Sequence, residues 1–306
     1  MTSPDASSFP PAQHDSAAEL LPASTAMDAV TLHAADIGGL ADYYREALGF
    51  VDVAEDVARV AAGDAGGRRR VVLGRAGRPL VVLVHTPDLP PPRPGAAGLF
   101  HTAILFPDRP SLAAAVARAA RHPRSRYVGS ADHLVSQAFY FTDPEGNGIE
   151  LYWDRDRTDW RWEDGRVAMA SLPLDPRAFL REHLDAPVAP TAAVGHVHLK
   201  VGDIPRARAF YVDALGFEVT AEWHGALFFS AGGYHHHLAV NTWDSRGAGP
   251  RAATLGLGQV AIAVPDRAAV EALAARLAGA GVPTRDDGRT LRFEDPWNSL
   301  VEVAPA

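Results

Sequence analysis

Polarity along this chain alternates with a period of two over short stretches and with a helical period over a few longer ones. In Gly195–Val201, the residues Val197, Leu199 and Val201 fall on one face. His196, His198 and Lys200 fall on the other, as successive side chains do on a strand. Phe100–Phe106 reads the same way, with Thr102, Ile104 and Phe106 on one face and His101, Ala103 and Leu105 on the other. An Asp-containing turn follows each strand and opens an amphipathic helical stretch. Gly49 and Gly216 stand where two of these helices would end. Several short strands joined by Gly-containing turns come next. The pattern β-α-β-β-β is met four times, over about 28–87, 99–153, 195–243 and 256–304. These are modules 1 to 4, and they predict an α+β fold.

The modules are copies of one unit, the kind of internal repeat that decides an architecture. Asp36, Ile37, Tyr44, Ala47, Leu48, Gly49 and Phe50 recur as Asp203, Ile204, Tyr211, Ala214, Leu215, Gly216 and Phe217. Residues 103–120 resemble 261–278, and the turn-and-strand segment 143–151 resembles 295–303. Residues 1–27, rich in Ser, Pro and Ala, predict a disordered tail. They lack the basic start and apolar core of a signal peptide, so a cytoplasmic location is expected. Residues 154–194, rich in Asp, Arg and Pro, predict a linker with one short helix at 175–184. Trp153, Trp160 and Trp162 are expected to lie against a domain.

Composition narrows the chemistry. The 306 residues include no cysteine, which removes disulfides, thiolate metal sites and cysteine nucleophiles. A metal must be held by His, Asp, Glu or Gln, and there are 13 His to consider. The net charge of −8 argues against a nucleic-acid partner. No apolar run is long enough for a membrane helix.

Counting back seven residues from each turn Asp gives the equivalent inward positions of the four first strands: Ala29, His101, His196 and Gln259. On the last strands, Glu150 and Glu302 each lie seven residues after an Asp, at Asp143 and Asp295. In module 3 the run Tyr234–Trp243 aligns with Pro79–Pro87, which sets His236 opposite Val81.

Four such modules with these turns resemble the vicinal-oxygen-chelate superfamily, which includes glyoxalase I, bleomycin-resistance proteins and extradiol ring-cleaving dioxygenases. The resemblance covers about 28–304. It implies that modules pair into U-shaped sheets, two barrels in all, with a metal held by first and last strands. The segment 132–153 further resembles the extradiol dioxygenase signature through His133, Phe139, Tyr140, Asp143, Pro144, Gly146 and Glu150, although Ala131 departs from it.

The resemblance implies a catechol 2,3-dioxygenase-like enzyme with Fe(II), or Mn(II), as cofactor. Its substrates would be a small aromatic diol and O2, in aromatic catabolism or in biosynthesis. The metal ligands would be His101, Glu150 and His196. Two His and one carboxylate suit a non-haem Fe(II) oxygenase. His236 would be the acid-base group, Tyr140 would donate to a substrate oxygen, His133 would lie at the cleft margin, and His198 would touch substrate. A homodimer is the expected assembly.

Pairing module 1 with 2 and 3 with 4 would split this set. Pairing 2 with 3 and 1 with 4 would assemble it in one cleft, leaving Ala29, Val81, Gln259 and Glu302 as a remnant. Two other readings compete. A glyoxalase-like isomerase or lyase would use four ligands, His196, His236, Gln259 and Glu302, with Ni(II) or Zn(II). A drug-binding resistance protein would carry no metal chemistry.

Overall fold

The computed structural model describes residues 20–54 and 68–306. Residues 1–19 of the expected tail lie outside the described residues. The rest of that segment belongs to the fold, contrary to expectation. The Leu21 N–H donates to the Gly216 carbonyl at 2.8 Å, and Ala26–Met27 pairs with the strand Gly256–Val264. Both Leu21 and Met27 are buried.

Two nine-stranded curled sheets carry the four modules. Each is joined at its centre by the first strands of two modules, running antiparallel. In one sheet Gly98–Phe106 of module 2 pairs with Ala193–Lys200 of module 3. In the other, Gly256–Val264 of module 4 pairs with Val30–Ala34 of module 1. Modules 2 and 3 therefore share one barrel and modules 1 and 4 the other. Within a module the first strand pairs in parallel with the last, which brings Glu150 beside Ala103, Glu302 beside Ala261, Ala239 beside His198 and Val82 beside Thr31. Val30 pairs with Val81, and its repeat equivalent Val197 pairs with Leu238. The alignment of His236 with Val81 is therefore off by two residues. His236 itself lies before the strand Leu238–Asn241, so strand alternation does not set its direction, and it lines the inner cavity from the segment leading into that strand.

The turn Asp residues are helix N-caps. Asp36, Asp108, Asp203 and Asp266 accept backbone N–H bonds at 2.9, 2.7, 2.7 and 2.9 Å from Gly39, Ser111, Arg206 and Ala269. The module 1 helix, Ile37–Leu48, ends at Gly49 with φ 69°. The module 3 helix is α-helical only over Ile204–Arg208. It continues as a π-helix over Ala209–Ala214, where the Leu215 N–H bonds the Phe210 carbonyl at 2.8 Å.

The repeated Tyr and Asp of the modules clasp the two barrels together. Tyr44 of module 1 donates to Asp143 of module 2 at 3.2 Å, and Tyr211 of module 3 donates to Asp295 of module 4 at 2.8 Å. One apolar core runs between the sheets and includes Leu32, Phe139, Leu199 and Leu273, one from each module.

Residues 154–194 are more than a connector. Trp160, Val167 and Phe179 are buried, and Leu172–Pro173 adds a strand to the module 2–3 sheet. The short helix spans Pro176–His183. Trp160 packs on Tyr234 and the Arg109 guanidinium lies 3.9 Å from the Trp153 ring, but Trp162 is exposed. No described helix is long and apolar enough to cross a membrane.

Candidate metal centre

The seam between modules 2 and 3 sets the site. His198 sits directly opposite His101 across it, His196 is opposite Ala103, and the register breaks on either side of this pair. The parallel pairing of Ala103 with Glu150 then delivers a carboxylate to the same spot. Glu150 Oε2 lies 2.9 Å from His101 Nε2 and 3.1 Å from His196 Nε2. All three side chains are buried, and their ligand atoms lie within 4.8 Å of one another.

These residues fit a divalent metal. Burial pushes the Glu150 carboxyl up, but the imidazoles of His196 and His101 outweigh it and hold the group well below its usual range. Burial lowers the His196 imidazole to about 4, against the pull of Glu150. One ionised carboxylate and a neutral imidazole are the protonation states that a metal requires of its ligands. His101 Nε2 is buried and, although 2.9 Å from Glu150, is not aligned to hydrogen-bond it, which leaves an atom that a metal would satisfy. The position equivalent to Glu150 in module 3 is Ala239, fully buried, so among the described residues the matching strand positions bring together three candidate ligands here and no fourth.

Around this cluster is a cavity of about 450 Å3. Its walls are apolar, with Phe100, Val135, Met169, Trp223, Phe228 and Trp243 among them. Tyr140, His133, His198 and His236 also face it. Tyr140 is paired across the hairpin with Glu150. The His133 ring bridges Tyr140 Oη and the carbonyl of Ala170, each at 2.7 Å. A carbonyl can only accept, so His133 Nδ1 donates to Ala170, and its Nε2 is the atom that meets the Tyr140 hydroxyl. His133 stands beside Leu134, whose φ of 69° marks a tight hairpin tip. Asn241 Nδ2 donates to His198 Nε2 at 2.9 Å. Burial lowers the imidazoles of His198 and His236 well below their ordinary value.

The equivalent region of the other barrel is built differently. Ala29, Val72, Val82 and Val84 form a small apolar cluster. Glu302 accepts from Arg292 Nε at 2.8 Å, and Arg292 also meets Asp287 at 3.1 Å. A guanidinium thus pairs with Glu302 there.

The family model for the Glyoxalase/Bleomycin resistance protein/Dioxygenase superfamily matches residues 26–151 and 193–303. The chain belongs to this superfamily. It is 36% identical to the catechol-2,3-dioxygenase of Bacillus subtilis (strain 168) over 261 residues, 83% of this chain and 88% of that protein. Among solved structures, a putative dioxygenase from Bacillus subtilis subsp. subtilis str. 168 superposes with a TM-score of 0.62 at 15% identity, covering 92% of this chain and 84% of that one. Glyoxalase I from Zea mays superposes at 0.55 and 18% identity, covering 92% of each chain. At these identities the two structures show a shared fold.

Within this superfamily fold, the four-ligand set His196, His236, Gln259 and Glu302 does not assemble. Gln259 and Glu302 lie in the module 1–4 sheet, and His196 lies in the other. The sequence reading also passed over residues that line the cavity or hold its histidines. Asp154 follows Glu150 and Tyr152 on the same strand face, so its period of two was a usable signal. Met169 and Ala170 come from the presumed linker and carry no local signal of their own.

Proposed function

We propose that this protein is an Fe(II)-dependent extradiol dioxygenase that opens an uncharged, apolar catechol with O2. The observation that carries the reading is the ligand count: His101, His196 and Glu150 converge while the fourth register position is Ala239. Two imidazoles and one carboxylate with open positions suit non-haem Fe(II), and Mn(II) is compatible with the same donors. The similarity to a catechol-2,3-dioxygenase supports the reaction class.

Fe(II) held by these three side chains would acidify the catechol hydroxyls and carry electron density toward O2. The chain's own groups do the rest. His236, neutral and lining the cavity, takes a catechol proton and returns it later, and its position beside His196, at 4.0 Å between rings, puts it next to the ligand set. Tyr140, held by its bond to His133, hydrogen-bonds a substrate oxygen. His198 sits 4.9 Å from Phe100, ring to ring, and these two flank the substrate ring. The apolar walls exclude water.

The walls also speak to the substrate. Among the described residues that line the cavity there is no Lys or Arg, and Glu150 is the one carboxylate. A carboxylated catechol would therefore be desolvated without a counter-charge, at a cost of several kcal/mol. Trp243, about half exposed at 47%, offers an aromatic face to an apolar substituent.

The test is oxygen uptake by Fe(II)-loaded protein across a catechol panel. Uptake with alkyl- and aryl-catechols, and little with carboxylated ones, is expected. Equal rates on both classes would overturn the substrate reading, and no uptake with any catechol would overturn the enzyme reading.

A further inference from the structure

Three consecutive histidines precede the last strand of module 3, and they have three different surroundings. His237 Nδ1 accepts the Ala231 N–H at 3.3 Å. His236 faces the cavity. His235 points the opposite way, toward the end of the strand that bears Glu150, where its Nε2 lies 2.8 Å from Asp154 Oδ1. The Nδ1 atoms of His235 and His236 are 2.7 Å apart.

The protons of this cluster follow from what each atom can do. Asp154 is a carboxylate and only accepts, so His235 carries its proton on Nε2. In neutral rings His235 then has a lone pair on Nδ1, and the one proton of the 2.7 Å contact between the two Nδ1 atoms comes from His236. Tyr234 donates to the second oxygen of Asp154 at 2.7 Å, and Tyr152 reaches Tyr234 at 2.8 Å. Two donors of the cluster, His235 Nε2 and Tyr234 Oη, thus point at one carboxylate. His236 is engaged at Nδ1 by this contact, and in a neutral ring its Nε2 carries no proton.

Taking from the extradiol reading only what His236 does, we propose that Asp154 and His235 are positioning residues. They fix the tautomer of His236 so that a bare Nε2 faces the cavity. Neither touches substrate; both act through His236. The same arrangement, a carboxylate behind a histidine, orients imidazoles at many metal and catalytic sites. Here a second imidazole is interposed. The consequence is that His236 enters the reaction as a base, and becomes an acid only after it has taken a proton.

The test reads tautomers directly, by 15N NMR of the full chain labelled at histidine, both as purified and with diamagnetic Zn(II) in the site. The expected spectrum has His236 protonated on Nδ1 and bare on Nε2, with His235 the reverse. A His236 proton on Nε2 would overturn the proposal without any variant. Two variants extend it. His235→Phe removes the acceptor, and should lower kcat by about 10- to 100-fold with KM and metal content unchanged. His235→Asn puts an amide oxygen near the old Nδ1 position, and should recover most of the turnover and the His236 Nδ1 proton. Equal turnover in wild type and His235→Phe would refute the positioning role. Absence of catechol-dependent oxygen uptake in the wild type would refute the extradiol reading instead, and the tautomer is then judged on the 15N spectrum alone.

Discussion

Two glutamates occupy equivalent positions in the two barrels, and substituting each to alanine separates the account from its mirror image. Glu150 lies between two imidazoles, and Glu302 is held by Arg292. A metal that binds only the folded chain stabilises it by about 2.7 kcal/mol when present at about 100 times its dissociation constant. For a protein of 306 residues, with an unfolding entropy of about 2.1 cal/mol/K per residue, that raises Tm by roughly 4 °C. Glu150→Ala removes one of three ligands, and its increment should vanish. Glu302→Ala should keep the whole increment. It starts from a lower baseline, because Arg292 loses a partner. Arg292 retains Asp287 at 3.1 Å and is 18% exposed at the side chain, so the loss is about 1–3 kcal/mol and falls short of a fully buried pair. The assay is thermal unfolding under anaerobic conditions, with and without Fe(II), together with metal analysis after gel filtration. An increment that survives Glu150→Ala and disappears with Glu302→Ala would refute the assignment of the site to the module 2–3 barrel.

Two further outcomes follow from groups near the site. Burial raises the Asp143 carboxyl from 3.8 to about 6, against bonds from Asn147, Glu145 and Tyr44. Its folded value is above its unfolded one, so the contribution to stability is complete below pH about 4 and is lost as pH rises through 6, up to about 3 kcal/mol in all; a 13C carboxyl titration near 4 would contradict this. At Gly195, beside His196, an added Cβ would lie 1.7 Å from Tyr152 Oη. Gly195→Ala should therefore displace Tyr152, cost about 1–3 kcal/mol in thermal unfolding and weaken metal binding, and an unchanged Tm would count against the packing described.

Much of the architecture was readable in the sequence because it is repeated. The N-capping Asp residues, Gly49 and Gly216, and the Tyr–Asp pairs recur at matched offsets, and local rules for caps and turns explain the first two groups. The pairing of modules 2 with 3 could be inferred because His101, His196 and Glu150 are inward-facing in those modules, where Ala29 and Gln259 stand in the others. What local rules could not supply was anything decided by contact between distant segments. The Tyr44–Asp143 clasp joins different barrels. The offset of His236 depends on how Gly232–His237 leads into its strand, a choice made by the pairing of Val197 with Leu238. Ala170 meets His133 only because residues 154–194 fold back over the sheet. The Asp154–His235 bond spans 81 residues and has no counterpart in the other modules to announce it.

The central claim is that this site opens a catechol ring beside its two hydroxyls. The most direct measurement is the identity of the product when Fe(II)-loaded protein meets an alkyl-catechol and O2. The account predicts a product one O2 heavier than the substrate, a yellow semialdehyde, with formation lost in Glu150→Ala. A dicarboxylate from cleavage between the hydroxyls, or an isomer of the substrate formed without oxygen uptake, would contradict it.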